Sequence, residues 1–413
     1  MKSGRLSILN VAQMPAAPPR FGAQARMHGL MSKLGRRHDL TAVALIDDDF
    51  DAAACQHAMS AYCREVVLVP NPHGRENLAK RLHQLRSLLS TRSFERQRVT
   101  VPAMQQAIDR ILRSQRFDIV NLEGPFLGHY DLRQAPAGER RPLLVVDSHN
   151  IDYDLARQYA RSGGSLPRRL FSSVNWRKMR RDELAAYRAA AGVYLCSAAD
   201  ERRLLDEVPA ARTAVIPNAA DVDYFQPRSG DPRADDHTVV FFGLLSYAPN
   251  VDGVTYFVRH IWPRIADLNP KARFKIIGAS PPRALQALAG PRIELTGFVP
   301  DLRPHLAGAA VVVVPLRLGG GTRLKIVEAM AMGKAIVSTG LGAEGIEAIA
   351  GRDLLIADEP AAFADAVISL LAEPGQKERI GRSARQLAVD RYAWRSAADA
   401  LDRFYQKILD AGG

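Results

Sequence analysis

Short apolar runs alternate with stretches of helical spacing along most of the chain. In the first half the runs are Leu6–Val11, Leu40–Leu45, Val66–Val69, Asp118–Leu122, Leu143–Asp147 and Gly192–Cys196. They are apolar on both faces and mostly rich in β-branched residues, as strands covered on both sides of a parallel sheet are. Helical spacing fills the gaps, for example over Gln24–Leu34, Glu76–Leu89 and Val101–Leu112. A polar stretch, Asp231–His237, follows Pro227 and Gly230 and interrupts the pattern. The alternation then restarts with strands Thr238–Phe242, Phe274–Ile277, Ile293–Leu295, Ala310–Pro315, Ala335–Ser338 and Leu354–Ile356. Helices are expected over Val251–Ile265, over Thr322–Met332 and from Ala361 to the C-terminus. Such β-α alternation predicts α/β architecture with doubly wound parallel sheets.

The break near residue 230 divides the chain into two Rossmann-like domains, 1–230 and 231–392. A terminal helix follows over 393–413, with an apolar stripe of Ala397, Ala398, Leu401, Phe404, Tyr405 and Ile408. Sheets of this kind bind ligands at the carboxyl ends of their strands. A length of 413 residues with 47% hydrophobic and 24% charged residues fits two such domains and excludes a disordered or fibrous chain. No apolar run approaches the roughly 20 residues that span a bilayer. The apolar stretch after Met1-Lys2-Ser3-Gly4-Arg5 is too short for a signal-peptide core. Cys55, Cys63 and Cys196 match no metal spacing, so a reduced, cytoplasmic protein is expected.

Charge changes this picture. The net charge is +12, and residues 1–200 carry thirty basic against nineteen acidic residues. An anionic partner is implied: nucleic acid, lipid headgroups or a phosphorylated substrate. The segments Leu78–Leu89 (Lys80, Arg81, Arg86) and Leu166–Arg181 (Arg168, Arg169, Arg177, Lys178, Arg180, Arg181) are basic and amphipathic. They read equally as solvated helices on a sheet and as helices lying on an anionic membrane surface.

The densest chemistry lies in PLRLGGGTRLKIVEAMAMGKAIVST, residues 315–339. A strand ends at Pro315, Gly319-Gly320-Gly321 turns the chain, and Thr322 is expected to open a helix. Glycines admit a ligand close to the backbone, and N–H groups at a helix N-terminus attract phosphate. Arg323 and Lys325 put cations at the end where the helix dipole disfavours them, which a bound anion would offset. A glycine turn with a solvated basic end is the alternative.

The stretch VEAMAMGKAIVSTGLGAEGI resembles the donor-binding segment of family 4 glycosyltransferases, enzymes of the GT-B fold. Val215–Asp221 (VIPNAAD) resembles that family's PNGVD segment, Leu295–Val299 its TGxV turn, and Gly22 stands where the family has a glycine-rich loop. GGGTRLK before the EAMA helix, together with SYAPNVDGV, is similar to bacterial sugar transferases of exopolysaccharide and envelope pathways. The resemblance covers essentially the whole chain. It implies two domains facing a cleft, an acceptor-binding first domain, a donor-binding second domain, and a terminal helix crossing back to the first. It also implies residue roles. Gly320, Gly321, Thr322 and Arg323 would hold the donor diphosphate, Glu328 the ribose hydroxyls, and Phe298 and Val299 the base. Gly22 would contact the donor, and His149, in VVDSHNID, the transferred sugar. By itself His149 reads equally as a loop histidine at a strand end; Asp147 and Asn150 are weaker candidates.

Two departures stand out. The family's second Glu is here Gly320, and its Arg and Lys after the first strand of the second domain are here Leu244 and Asn250. Arg323 and Lys325 are the expected replacements, Lys325 above all; a surface role for either is the alternative. No acidic pair of DxD type stands at a plausible cleft position, since Asp235-Asp236 falls in the linker. The expectation is a metal-independent, retaining glycosyltransferase using a nucleotide-diphosphate sugar, with no cofactor, a glycan or lipid-linked acceptor, and no nucleic acid. A nucleotide-sugar epimerase of the same fold is a rival. A nucleic-acid-binding protein is a weaker one, because no helix-turn-helix, RNP or zinc pattern accompanies the charge.

Overall fold

The computed structural model describes residues 4–74, 78–161, 166–228 and 235–412. The chain forms two compact units, Met1–Ile216 together with Ala397–Gly413, and Pro217–Ser396. The division thus falls ahead of the polar stretch near residue 230, of which 231–234 lie outside the described residues.

The first unit is built on seven strands: β1 (Ser7–Ala12), β2 (Asp39–Ile46), β3 (Glu65–Pro70), β4 (Ile119–Glu123), β5 (Leu143–Ser148), β6 (Gly192–Leu195) and β7 (Thr213–Val215). Their order is β3-β2-β1-β4-β5-β6-β7, and every pairing is parallel. The order reverses between β1 and β4, and such reversals leave a crevice at the carboxyl edge. The Gly22–Leu34 helix leaves β1 on that side. Strands β1 and β4 are buried along almost their whole length because helices cover both faces, which is why the sequence shows runs rather than alternation.

The second unit carries β8 (Thr238–Phe242), β9 (Arg273–Ile277), β10 (Ile293–Gly297), β11 (Val311–Val314), β12 (Ala335–Ser338) and β13 (Leu355–Ile356). Their order is β10-β9-β8-β11-β12-β13, again all parallel, with the reversal between β8 and β11. The four valines of β11 are fully buried in its core.

Several elements differ from the sequence reading. Thr213–Val215 adds a strand that three residues are too few to announce. The helix expected over Val251–Ile265 is two helices, Ala248–Tyr256 and Trp262–Leu268, joined through a wide turn at Phe257–Ile261. Pro263 has no N–H to donate and crowds the preceding turn, so the helix changes hydrogen-bond register there. The tail is three helices, Pro360–Ala372, Pro374–Arg391 and Trp394–Gly412. The last packs within the first unit: Tyr405 donates to Asn121 Oδ1 at 3.2 Å, and Asp402 meets His38 at 3.1 Å. No helix among the described residues is long and apolar enough to cross a membrane.

Candidate functional site

Each sheet presents one chemically dense carboxyl edge. In the second unit, the chain leaves β11 through Gly319-Gly320-Gly321, with Gly319 at φ +129° and Gly321 at φ +68°, conformations that L side chains avoid. The helix begins at Leu324, with Arg323 as its extended N-cap, two residues later than expected, and it runs to Ala331. The glycine loop therefore extends through Thr322, whose carbonyl accepts from Asn218 Nδ2 at 2.8 Å. Leu324 and Lys325 precede the first intrahelical bonds, which start with Ile326 N–H to Arg323 O. Helix N–H groups of that kind suit an anion.

The two cations of this loop part company. The Arg323 guanidinium turns back and donates to the carbonyls of Gly320 and Gly321 and, at 3.5 Å, of Leu341. It stitches the loop together. Because Arg323 is the cap and not a helical residue, helical angles do not relate it to Lys325. The Lys325 ammonium reaches β8 instead. Its Nζ donates to Asn250 Oδ1 at 2.7 Å and lies 4.0 Å from the Phe241 ring centroid. Gly243, at φ +147°, makes room: a Cβ there would stand 3.1 Å from Lys325 Nζ and 3.0 Å from Asn250 Nδ2. Lys325 thus brings its charge to Asn250, one of the two positions where the resembling family's cations are missing.

Burial, reinforced by Arg323, pushes the Lys325 ammonium down to about 7. Burial pushes the Glu328 carboxyl, on the same helix, up to about 7 against the opposing pull of Lys325. Among the described residues neither forms an ion pair. Phe298 follows β10 and is 70% exposed, open to stacking, while Val299 packs partly into the core.

In the first unit, Glu123 ends β4 and Asp147 lies directly opposite it on β5. Two neighbouring carboxylates in a buried edge need compensation. Arg26, on the helix that Gly22 opens, grips both oxygens of Asp147 at 2.8 to 3.1 Å and donates to Ile216 O at 2.8 Å. Both members of this pair are buried. His149 Nε2 lies 3.0 Å from Glu123 Oε2 and 3.3 Å from Asp147 Oδ2. Burial alone would lower the imidazolium, but Asp147 and Glu123 outweigh it and hold it up to about 10. Asp147 is depressed because Arg26 and His149 overcome the effect of its burial, while burial raises Glu123. Glu123, Asp147 and His149 offer oxygen and nitrogen atoms within 4.8 Å of one another, and Arg26 engages the same Asp147 carboxylate.

The His149 loop is held from below. Ser148 Oγ bonds the Asn150 carbonyl and the Tyr187 hydroxyl, and Glu183 accepts from Tyr153 N–H at 2.7 Å. The structure brings Asp147 and His149 within 3.3 Å of each other, and the Asn150 carbonyl accepts from Ser148 Oγ. Sequence reading offers Arg20 or Arg26, near Gly22, as further cations for a diphosphate, but it missed the pairing of Arg26 with Asp147, Glu123 itself and the Lys325–Asn250 pairing. An arginine on the first helix after a Gly-loop strand and a glutamate ending a strand were the available signals.

Comparison with known proteins places the chain in a family. The model for Glycosyltransferase Family 4 matches residues 22–224, and that for Glycosyl transferases group 1 matches residues 236–373. The phosphatidyl-myo-inositol mannosyltransferase of Mycobacterium tuberculosis is 29% identical over 51% of this chain and 58% of its own length. The chain spans 36 to 58% of the length of the curated relatives it matches first. Sucrose-phosphate synthase from Thermosynechococcus elongatus superposes with a TM-score of 0.77 at 18% identity, covering 98% of this chain and 100% of that one. Anabaena HepE in complex with UDP and glucose gives 0.66 at 15% identity, covering 97% and 100%. With the two units matched by family models of glycosyltransferases and the whole fold matched by solved structures of the class, the chain belongs to the family 4, group 1 glycosyltransferases of the GT-B fold.

Proposed function

We propose that the chain transfers a sugar from a nucleotide-diphosphate sugar to a glycan or lipid-linked acceptor, with retention of configuration, in exopolysaccharide or cell-envelope polysaccharide synthesis. The carrying observation is the second unit's edge, where a glycine loop, a helix N-terminus, a half-buried ammonium that donates to an amide and a half-buried carboxyl stand together. A nucleoside diphosphate supplies what each lacks. Its oxygens meet the loop and the Lys325 ammonium, and its ribose hydroxyls donate to Glu328. Phe298 offers a face to the base. The leaving diphosphate gathers charge as the glycosidic bond breaks, and preorganised donors stabilise it there. Helix N–H groups and Lys325 meet that charge without a divalent metal, and no cofactor is needed. A diphosphate oxygen serves as base in a front-face route. Gly22 and His149 serve the sugar from the first unit.

Glu328→Ala tests this reading. A charged hydrogen bond contributes about 1.5–3 kcal/mol, so donor affinity should fall by one to two orders of magnitude while the fold survives. Unchanged affinity for a panel of nucleotide sugars, followed by thermal stabilisation, would refute it.

An anionic membrane surface is the partner proposed for the first unit. Leu85, Leu88 and Leu89 on the Leu78–Leu89 helix, and Leu170 and Val174 on the Leu166–Ala189 helix, are exposed. Lys178 ties the two helices by donating to the carbonyls of Ser87 and Leu88. Arg86 lies on the first of these helices, Arg92 just beyond it, and Arg177 and Arg181 on the second, whereas the side chains of Lys80, Arg81, Arg168 and Arg169 lie outside the described residues. Leu89→Ser with Leu85→Ser should release the protein from anionic vesicles at low salt. Equal binding to neutral vesicles would discard the idea.

A further inference from the structure

We propose that Glu123 and Asp147 hold His149 as a fixed imidazolium at the carboxyl edge of the first sheet, so that the ring meets substrate as a cation and hydrogen-bond donor and never as a base, with Glu123 the positioning residue that sets this state. The substrate half of this inference rests on the proposed sugar transfer; the charge state does not.

Geometry makes the case first. Nε2 of His149 faces carboxylate oxygens of both Glu123 and Asp147 at 3.0 and 3.3 Å. A nitrogen lone pair aimed at two such oxygens would be repelled, so Nε2 carries a proton. Charge counting settles the other nitrogen. Arg26 offsets Asp147, and both are almost wholly buried. Glu123, 3% exposed, would then be a buried anion without a counter-charge. A doubly protonated His149 supplies it and closes the cluster at neutrality. Of these four side chains only His149 has solvent reach, at 18% exposure.

Glu123 is itself held. Asn121 Nδ2 donates to its other oxygen, Oε1, at 3.0 Å, and also to Asn10 Oδ1 at 2.8 Å; Tyr405 donates to Asn121 Oδ1 at 3.2 Å. The carboxylate can neither rotate away nor turn to another partner without breaking this chain. Parallel register places it opposite Asp147, so the two anions flank one ring nitrogen.

Other groups reach the cluster from the surrounding elements, and none of the following adds positive charge to it near neutral pH. Tyr194 and Cys196, at the end of β6, and Tyr405, on the terminal helix, are all raised by burial and stay neutral. Asp152, on the next helix, is raised by burial to about 7, against the pull of His149, and so titrates in the physiological range. Its ionisation adds negative charge and favours the imidazolium further. The raised imidazolium, up to about 10, agrees with the geometry.

Nitrogen-15 NMR of the full chain labelled in histidine tests this, with the His149 signal assigned by its loss in His149→Gln. Without any substrate, both ring nitrogens should show the protonated signature from pH 6 to 9. Glu123→Gln keeps the size of the side chain but removes the charge. It should lower the His149 midpoint by about two pH units or more. The pH profile of transfer by Glu123→Gln should then gain an alkaline limb that the unaltered enzyme lacks, and Glu123→Asp should partly restore the original profile. A neutral His149 at pH 7.5 in the unaltered protein would overturn the proposal, and so would a midpoint indifferent to Glu123→Gln. So would displacement of the ring protons by added Zn²⁺ or Mg²⁺, which would make the cluster a metal site. If Glu123→Gln does not fold, the titration of the unaltered protein alone decides. The titration needs no donor or acceptor, so it stands or falls separately from the sugar-transfer reading, which the Glu328→Ala binding measurement addresses.

Discussion

The two carboxyl edges manage buried charge in opposite ways. In the first unit Arg26, Asp147, Glu123 and His149 answer one another within hydrogen-bonding distance, and the cluster is complete without a ligand. In the second, Lys325 has an amide and an aromatic ring for neighbours, and among the described residues Glu328 forms no ion pair. Burial pushes both toward their neutral forms. A balanced cluster fixes a geometry before substrate arrives. An unbalanced one leaves a deficit, which the proposed nucleoside diphosphate would fill. The same chain thus holds one edge ready in shape and the other ready in charge.

The largest expected effect is on catalysis at the unbalanced edge. Lys325→Ala should lower the transfer rate at saturating donor by about 10²–10³-fold, the scale for losing one donor to a developing anion. Arg323→Ala should act mainly through a looser glycine loop, raising KM with a few-fold change in kcat, because its guanidinium is spent on loop carbonyls. Equal, small losses in both variants would leave the diphosphate charge to residues elsewhere.

Stability should show the reverse contrast. Arg26→Met strands a buried Asp147 and should cost about 3–5 kcal/mol. Lys325→Met removes a poorly compensated half-buried cation and should change stability by less than about 1 kcal/mol, in either direction. Midpoints of urea unfolding read both. A Lys325→Met cost as large as that of Arg26→Met would erase the distinction between the edges.

The smallest effect is a proton count whose sign changes with pH. Lys325 sits at about 7 folded, against the usual 10.5. Between those values the unfolded chain holds the extra proton, so this group's contribution to stability rises with pH. Glu328 sits at about 7 folded, against the usual 4.5. Between those values the folded chain holds the extra proton, so its contribution falls as pH rises. Both contributions are poorest near pH 7, where a bound diphosphate would charge Lys325 and its ribose would favour ionised Glu328. Nucleoside diphosphate binding should therefore take up close to one proton at pH 8 and release close to one at pH 6. Calorimetry in buffers of different ionisation enthalpy measures this; no change of sign across pH 7 would mean that these two groups do not both titrate on binding. At the balanced edge the sign differs: His149, raised to about 10, contributes fully below its usual 6.5 and loses that contribution as pH climbs through 10.

Much of the architecture was legible because it is local. Runs such as Val311–Val314 are strands buried on both faces, and a triple glycine before a helix marks a close approach whatever surrounds it. Elements set by one residue or by very few were not. Pro263 divides a helix whose apolar spacing looks continuous, and Thr213–Val215 pairs with β6 through backbone bonds that leave no periodic mark. The helix start moved from Thr322 to Leu324 because the positive φ of Gly321 and the capping geometry of Arg323 prolong the loop.

The sequence by itself singled out the glycine loop, Lys325 and Glu328 as candidates at the second edge and showed Leu244 and Asn250 where the resembling family has cations. Only the tertiary structure decided how the deficit is met, since Lys325 lies 75 positions from Asn250 and reaches it because β8 and β11 are neighbours. It also decided what His149 is. Glu123 and Asp147 become a pair through parallel register, and Arg26 joins from 121 positions away. A side chain's identity is written locally, but its charge state depends on burial and on partners brought close in space, and strand order sets both.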